Sequence, residues 1–400
     1  MKDFINRRKF IRMTTVAGAG AVLLPNGVNA GVSKPNVQAT QQDKGDMPVR
    51  TLGRTGLQIP ILSMGVMRAD NPSVVRAAYN SGIKHFDTAQ GYQNGKNEEM
   101  LGEFFEGKPR DSFVISTKIK MNYPLKEEDF GKSLMEKVDV SLKRLKMDYV
   151  DILYLHAIDE LESITDETVI AALKKVKESG KARFFGISTH ANKPEQLDRA
   201  VKAGIFDVVL VSYHFKLNRL EELDAAIARA ADAGIGLIAM KTMVGGVEDT
   251  DDKKKINGQA CLKWVWKNKN ITTIIPGFTN YDMLDDCLAA VKSPNISENE
   301  SKYLASLRDS EMLYCQRCNN CAKQCPENLP IPELMRAYMY AYGYKYAQLS
   351  KETLADLSLP ADMCSSCKTG CKVSCPSGFR VGEKIAAIKP VLNIPDVFLS

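Results

Sequence analysis

The chain predicts an α/β architecture: a (β/α)8 TIM barrel over residues 47–300, then a small α-helical domain over 301–400 built around cysteines. Three observations predict it. Between Val49 and Glu300, short apolar runs alternate with helical periods eight times, the rhythm of a barrel about 250 residues long. The apolar runs are rich in Ile, Val and Phe and mostly lack strict alternation, as strands buried on both faces do. Eight of the ten cysteines fall in two tight clusters beyond residue 310.

Residues 1–30 read as a targeting segment. Asn6-Arg7-Arg8-Lys9-Phe10-Ile11 is a twin-arginine pattern, an Ala- and Gly-rich apolar run follows from Met13 to Leu24, and Val28-Asn29-Ala30 is small enough for a signal peptidase. The competing reading is a disordered basic tail. The order of the three features favours export to the periplasm or an equivalent compartment. The apolar run is short for a transmembrane helix, and no membrane span is expected in the mature chain. The segment also explains the overall charge of +6: without it the chain carries 49 basic against 47 acidic residues. That balance points away from nucleic acid or an acidic membrane surface. Residues 31–46 are polar and read as a flexible linker.

Within the barrel, Val49–Gly53 and Leu57–Ile59 flank Arg54-Thr55-Gly56 as a hairpin. Eight strands are then expected: Leu62–Gly65, Lys84–Asp87, Phe113–Thr117, Tyr149–Leu155, Ala182–Ile187, Val208–Val211, Gly236–Met240 and Thr272–Ile275. Between them lie helical periods, among them Asp129–Lys146, with Leu134, Val138, Leu142 and Leu145 on one face, Thr168–Ser179 and Leu220–Ala233. An open doubly wound sheet is the competitor, but it would want a Gly-rich turn after its first strand, and no G-x-G-x-x-G is present.

Three strand ends carry polar residues that an apolar strand does not need. The second ends in Phe86-Asp87-Thr88-Ala89-Gln90-Gly91-Tyr92, the third runs into Lys118 and the fourth into His156. Singly, these read as a helix cap, a rim tyrosine, a solvated lysine and a core histidine. Together on adjacent strands of one rim, they point to chemistry.

These motifs, over roughly Arg50–Leu288, resemble the aldo-keto reductases. The resemblance implies a catalytic tetrad of Asp87, Tyr92, Lys118 and His156. Tyr92 would be the general acid that protonates a carbonyl oxygen, with Lys118 lowering its pKa, Asp87 holding Lys118, and His156 orienting the carbonyl. Hydride would come from a nicotinamide, NADPH in most of the family. At strand five Ser188 fits the carboxamide site, while Thr189 replaces the usual asparagine; Leu210 stands for the usual strand-six glutamine, and Met240-Lys241-Thr242 for the stacking tyrosine. Pro276-Gly277-Phe278-Thr279-Asn280 is a recognisable phosphate region, with Asp286 at the usual acidic position.

Cys315-x2-Cys318-x2-Cys321-x3-Cys325-Pro326 is the bacterial ferredoxin run. Paired zinc knuckles would need a loop between two C-x2-C units, and this spacing is too tight. Cys364-x2-Cys367-x3-Cys371-x3-Cys375-Pro376 has one extra residue before its third cysteine and reads as a second run. In two-cluster proteins the fourth cysteine serves the other cluster. Cys315, Cys318, Cys321 and Cys375 are therefore expected to hold one [4Fe–4S] cluster, and Cys364, Cys367, Cys371 and Cys325 the other. The Tyr- and Met-rich stretch from Ile331 to Ser358 reads as a helical spacer packing on the barrel, and Cys261 and Cys287 as buried structural cysteines. The arrangement resembles an α-helical ferredoxin appended to an aldo-keto reductase.

The reading that follows is an exported oxidoreductase acting on a small carbonyl or alcohol, with a two-cluster relay. A hydride moves two electrons together and a cubane takes one, so a flavin or a redox partner protein would usually stand between them, and no flavin motif is present. Two alternatives stay open: an electron-transfer or binding subunit whose barrel is a scaffold, and clusters that only staple the C-terminal region.

Overall fold

The computed structural model describes residues 47–121, 130–158, 161–245, 256–308, 313–360, 363–365, 367 and 370–399. The expected targeting segment and linker lie outside the described residues. A hairpin comes first: β1 (Val49–Thr51) pairs antiparallel with β2 (Gln58–Pro60). Its Leu52 and Ile59 are fully buried and close one end of the barrel, where Leu52 lies directly against Gly236.

Eight parallel strands follow: β3 (Met64–Gly65), β4 (His85–Asp87), β5 (Val114–Ile119), β6 (Val150–Leu155), β7 (Ala182–Thr189), β8 (Val208–Ser212), β9 (Gly236–Met240) and β10 (Ile271–Ile274). Each lies on an expected apolar run. They neighbour one another in chain order, and a parallel bridge between Leu62 and Ile274 joins the first to the last. Ser63 N–H donates to the Ile274 carbonyl there (2.9 Å). That closure decides against the open doubly wound sheet. The register sets Asp87 beside Ser116, Lys118 beside Tyr154, and Ser188 beside Leu210.

The helices are α1 (Pro72–Asn80), α2 (Lys96–Phe105), α3 (Phe130–Leu145), α4 (Glu167–Glu178), α5 (Lys193–Ala203), α6 (Leu220–Asp232), α7 (Gly258–Trp266), α8 (Tyr281–Lys292) and α9 (Glu298–Ser306). Helix α3 buries the face expected of it: Leu134, Val138, Leu142 and Leu145. The boundary expected at residue 300 falls inside α9, whose Leu304 packs with Ala260 and Cys261 of α7. Among the described residues no helix is long and apolar enough to cross a membrane.

One glycine is dictated by the barrel interior. Tyr154 points inward from β6, fully buried, and an ideal Cβ on Gly186 of β7 would stand 2.5 Å from its ring and 2.5 Å from the Val208 carbonyl. Gly186→Ala is expected to destabilise the fold by about 1–3 kcal/mol, the usual cost of overpacking. Urea unfolding should show a lower midpoint at unchanged slope; an unchanged midpoint would mean that the interior yields.

Beyond the barrel, α10 (Ile331–Tyr338) runs into a π-turn (Met339–Gly343) and packs against α11 (Ala347–Ala355) and α12 (Val381–Ile388). This segment is fastened to loops at the C-terminal rim. Arg68 donates to the Tyr344 carbonyl (2.8 Å), Lys241 Nζ donates to the Tyr344 hydroxyl (3.0 Å), and His190 Nδ1 bonds the Tyr314 hydroxyl (3.1 Å). Gln316 binds both the Lys216 carbonyl (3.1 Å) and the Asn218 amide (2.8 Å).

Candidate active site

Strand ends position the four polar residues. Asp87 closes β4 and Lys118 lies near the end of β5, so parallel pairing sets them side by side. Tyr92 opens a short 3-10 turn past β4 in which Gln93 and Asn94 take left-handed backbone angles. The Gln93 amide donates to the Met67 (3.2 Å) and Ala69 (3.3 Å) carbonyls and pins that turn.

Lys118 and Asp87 are each 2 % exposed. The Lys118 ammonium donates to Asp87 Oδ2 (2.5 Å), the Thr88 carbonyl (2.6 Å) and the Tyr92 hydroxyl (3.5 Å), so all three protons are placed. The other Asp87 oxygen accepts from Ser116 (2.7 Å), which bonds His85 Nε2 (2.9 Å). A buried pair with its remaining atoms satisfied is held in one geometry. Burial pulls Lys118 down from the ordinary lysine value, and Asp87 opposes that shift.

The net direction at Tyr92 is upward. Burial pushes the phenol well above its ordinary value, and the Asp87 carboxylate adds to the shift. The Lys118 ammonium sits closest to Asp87 and Thr88 and reaches the phenol at 3.5 Å. Tyr92 therefore holds its proton. The His156 ring meets Tyr92 edge-on, centroids 5.9 Å apart. Burial, then Lys118 and Lys120, push the imidazole well down, so it is neutral.

Tyr92, Lys118 and His156 line one cavity of about 130 Å3, and Ser188 and Met240 lie in the same wall. Its other side is made by the C-terminal segment: Tyr314, Cys315, Arg317, Pro332, Arg336, Met339 and Tyr340. The Ile331–Ser358 stretch, expected to be a spacer, thus builds the roof of the barrel mouth. Sequence reasoning missed Lys120, His190, Arg317, Arg336 and Tyr340. The one signal was two arginines in segments that needed no charge: Arg317 between cysteines and Arg336 on a strongly amphipathic helix.

The cofactor-side candidates divide. Ser188 reaches the cavity and its hydroxyl accepts the Ala157 amide (2.8 Å); Met240 and Lys241 also line it. Thr189 is fully buried, donates to the Ala191 carbonyl (2.9 Å), and is not in the cavity wall. Pro276, Gly277, Phe278, Thr279 and Asn280 lead from β10 into α8, whose first turn Asn280 caps through the Met283 amide (2.9 Å). An exposed helix N-terminus of this kind suits a phosphate. Asp286 lies on the exposed side of α8 and accepts from Gln259 (2.7 Å).

Cys315, Cys318, Cys321 and Cys375 line one small cavity of about 20 Å3, walled by Ile331, Pro332, Met335 and Phe379. Cys364 has Glu327 first, then Cys367, Cys371 and Cys325, as its electrostatic neighbours, and its amide donates to the Glu327 carboxylate. Among the described residues no three Cys, His, Asp or Glu side chains surround a point suited to a single metal ion; a cubane instead takes its thiolates at four separate corners. Burial pushes the Cys315 thiol up to about 12, so it is protonated. Cys261 and Cys287 are buried in α7 and α8, as expected, their thiols also pushed up to about 12.

Comparison with known proteins decides the lineage. The family model "Aldo/keto reductase family" matches residues 62–258. An L-galactose dehydrogenase from Arabidopsis thaliana is 30 % identical over 291 residues, covering 61 % of this chain and 88 % of the relative. The chain belongs to the aldo/keto reductase family. An L-glyceraldehyde 3-phosphate reductase from Escherichia coli (strain K12) is 26 % identical, covering 66 % of this family member and 92 % of the relative. Among solved structures, an aldo-keto reductase from Bacillus halodurans in its holo form superposes with a TM-score of 0.54 at 20 % identity, over 65 % of this chain and 96 % of that one. This neighbour bears out the barrel. The chain is accordingly an oxidoreductase of the NAD(P)-dependent kind.

Proposed function

We propose that this family member is an exported reductase of a small carbonyl compound, or an oxidase of the matching alcohol, that carries two [4Fe–4S] clusters. The convergence of Asp87, Tyr92, Lys118 and His156 on one cavity carries the reading. Tyr92 gives its proton to the carbonyl oxygen, Lys118 holds the phenol in place, Asp87 anchors Lys118, and neutral His156 orients the carbonyl. NADPH or NADH, when bound, would supply the hydride, and the clusters would pass single electrons to or from a redox partner protein. Ser188, Met240 and Lys241 would hold the nicotinamide end, and the 276–280 turn the phosphate end. Cys315, Cys318, Cys321 and Cys375 would hold one cluster, and Cys364, Cys367, Cys371 and Cys325 the other. The twin-arginine pattern supports export of a folded, cofactor-loaded chain. The named relatives act on sugars or a sugar phosphate, which supports a small polar substrate.

One experiment addresses both halves. Protein purified anaerobically should oxidise NADPH in the presence of a test aldehyde and contain about eight iron per chain. Cys375→Ser should lower iron to about four, and Cys325→Ser likewise, each from a different cluster. About four iron in the unaltered protein would reject the second site.

A second reading is favoured by one observation: Lys241 is engaged by Tyr344 and Thr189 is turned away, so two expected nicotinamide contacts are otherwise employed. In that reading the barrel is the scaffold of an iron–sulfur electron carrier. Reversible bleaching of the cluster absorbance by dithionite without aldehyde turnover would support it.

A further inference from the structure

The cavity over Tyr92 is lined by five cationic side chains, Lys118, Lys120, Lys241, Arg317 and Arg336, and among the described residues by no carboxylate. Two carboxylates stand behind the wall. Asp87 is committed to Lys118 (2.5 Å), and Glu333 is shared by Arg317 and Arg336 (2.5 Å to Arg336). Among the described residues the wall is thus predominantly cationic. Both histidines at the wall register it: after burial, the lysines and arginines around them hold His156 and His190 down. The Nε of Arg336 is buried and has no hydrogen-bond partner among the described residues. A buried guanidinium donor without an acceptor is costly, and an entering anion can satisfy it.

We propose that the site takes a carbonyl compound bearing a carboxylate, held by Arg336 with Arg317 on the roof side while its carbonyl faces Tyr92 and His156. A guanidinium matches a planar carboxylate through two parallel donors, which a lysine cannot do. Arg317 and Arg336 both come from the C-terminal segment, so this segment sets substrate class while the barrel supplies the proton donor. The inference rests on reading this cavity as the substrate site.

The test uses the full chain, purified anaerobically, and a binding measurement that needs no turnover. By calorimetry, benzoate should bind about tenfold or more tightly than benzamide, its neutral counterpart. Arg336→Gln should weaken benzoate about ten- to a hundredfold and benzamide less than about twofold, with Arg336→Lys intermediate. Equal affinities for the two probes in the unaltered protein would overturn the proposal without reference to any variant. A loss of nucleotide affinity in Arg336→Gln with benzoate unchanged would also overturn it, assigning the guanidinium to the cofactor. Preferential benzoate binding without aldehyde reduction would sustain the anion site and sink the reductase reading. Reduction of 4-formylbenzoate and of its methyl ester with equal kcat/KM would do the reverse.

Discussion

Replacing Tyr92 by phenylalanine is expected to lower NADPH-dependent carbonyl reduction by about 10²–10⁴-fold, the range one general acid contributes. The variant should fold normally. Among the described residues the hydroxyl has one hydrogen bond, the 3.5 Å contact from Lys118, and its loss leaves the better-made Lys118 contacts to Asp87 and Thr88 in place. The ring contacts, Lys118 over its face and His156 against its edge, survive in phenylalanine. The loss should therefore fall on kcat, with nucleotide affinity unchanged. The raised phenol pKa adds a signature in pH. Reduction uses the protonated phenol and should show no fall before pH 10, whereas oxidation of the alcohol needs a proton acceptor and should climb through the alkaline range. A phenylalanine variant that keeps its rate within about threefold would remove Tyr92 from the chemistry and leave the barrel as a scaffold.

Much of this site was legible in the sequence because barrels place function at strand ends, and an apolar strand that ends in Asp87 or Lys118 has no packing reason to do so. Helix α3 was legible for a similar reason: Leu134, Val138 and Leu142 repeat at the period of the surface they bury. Two features were not legible. The direction of the Tyr92 shift depends on how deeply the phenol sits and on where the Lys118 protons go, and spacing along the chain encodes neither. The roof over the mouth was read as a spacer because α10 has an ordinary amphipathic period. Its partners, such as Lys241 for Tyr344 and His190 for Tyr314, lie more than a hundred residues away in sequence. Periodicity reports that a face will be covered, not by what.

The largest expected stability effect is acid lability arising from the histidines. The chain has four, and burial pushes every one down: His85 to about 4, His214 to about 3, and His156 and His190 well below the usual value. Geometry explains the first two. His85 Nε2 bonds Ser116, but its Nδ1 is buried without a partner; in His214 it is Nε2 that lacks one while Nδ1 accepts the Lys216 amide (3.3 Å). Protonation would bury an N–H with no acceptor. The sign follows by linkage: the unfolded histidines bind protons near pH 6.5 and the folded ones do not, so stability is complete above pH 6.5 and falls as pH drops toward 4. Between pH 7.5 and 5.5 the two fully buried histidines, His85 and His214, contribute on the order of 1 kcal/mol of loss each, an appreciable part of the stability of many domains. Carboxylates titrate mostly below this window, so the drop belongs to the histidines. Urea titrations at these two pH values should show it, and His214→Asn, which can still accept the Lys216 amide, should recover on the order of 1 kcal/mol of the difference. A midpoint independent of pH across that interval would mean that the buried imidazoles find proton acceptors in solution.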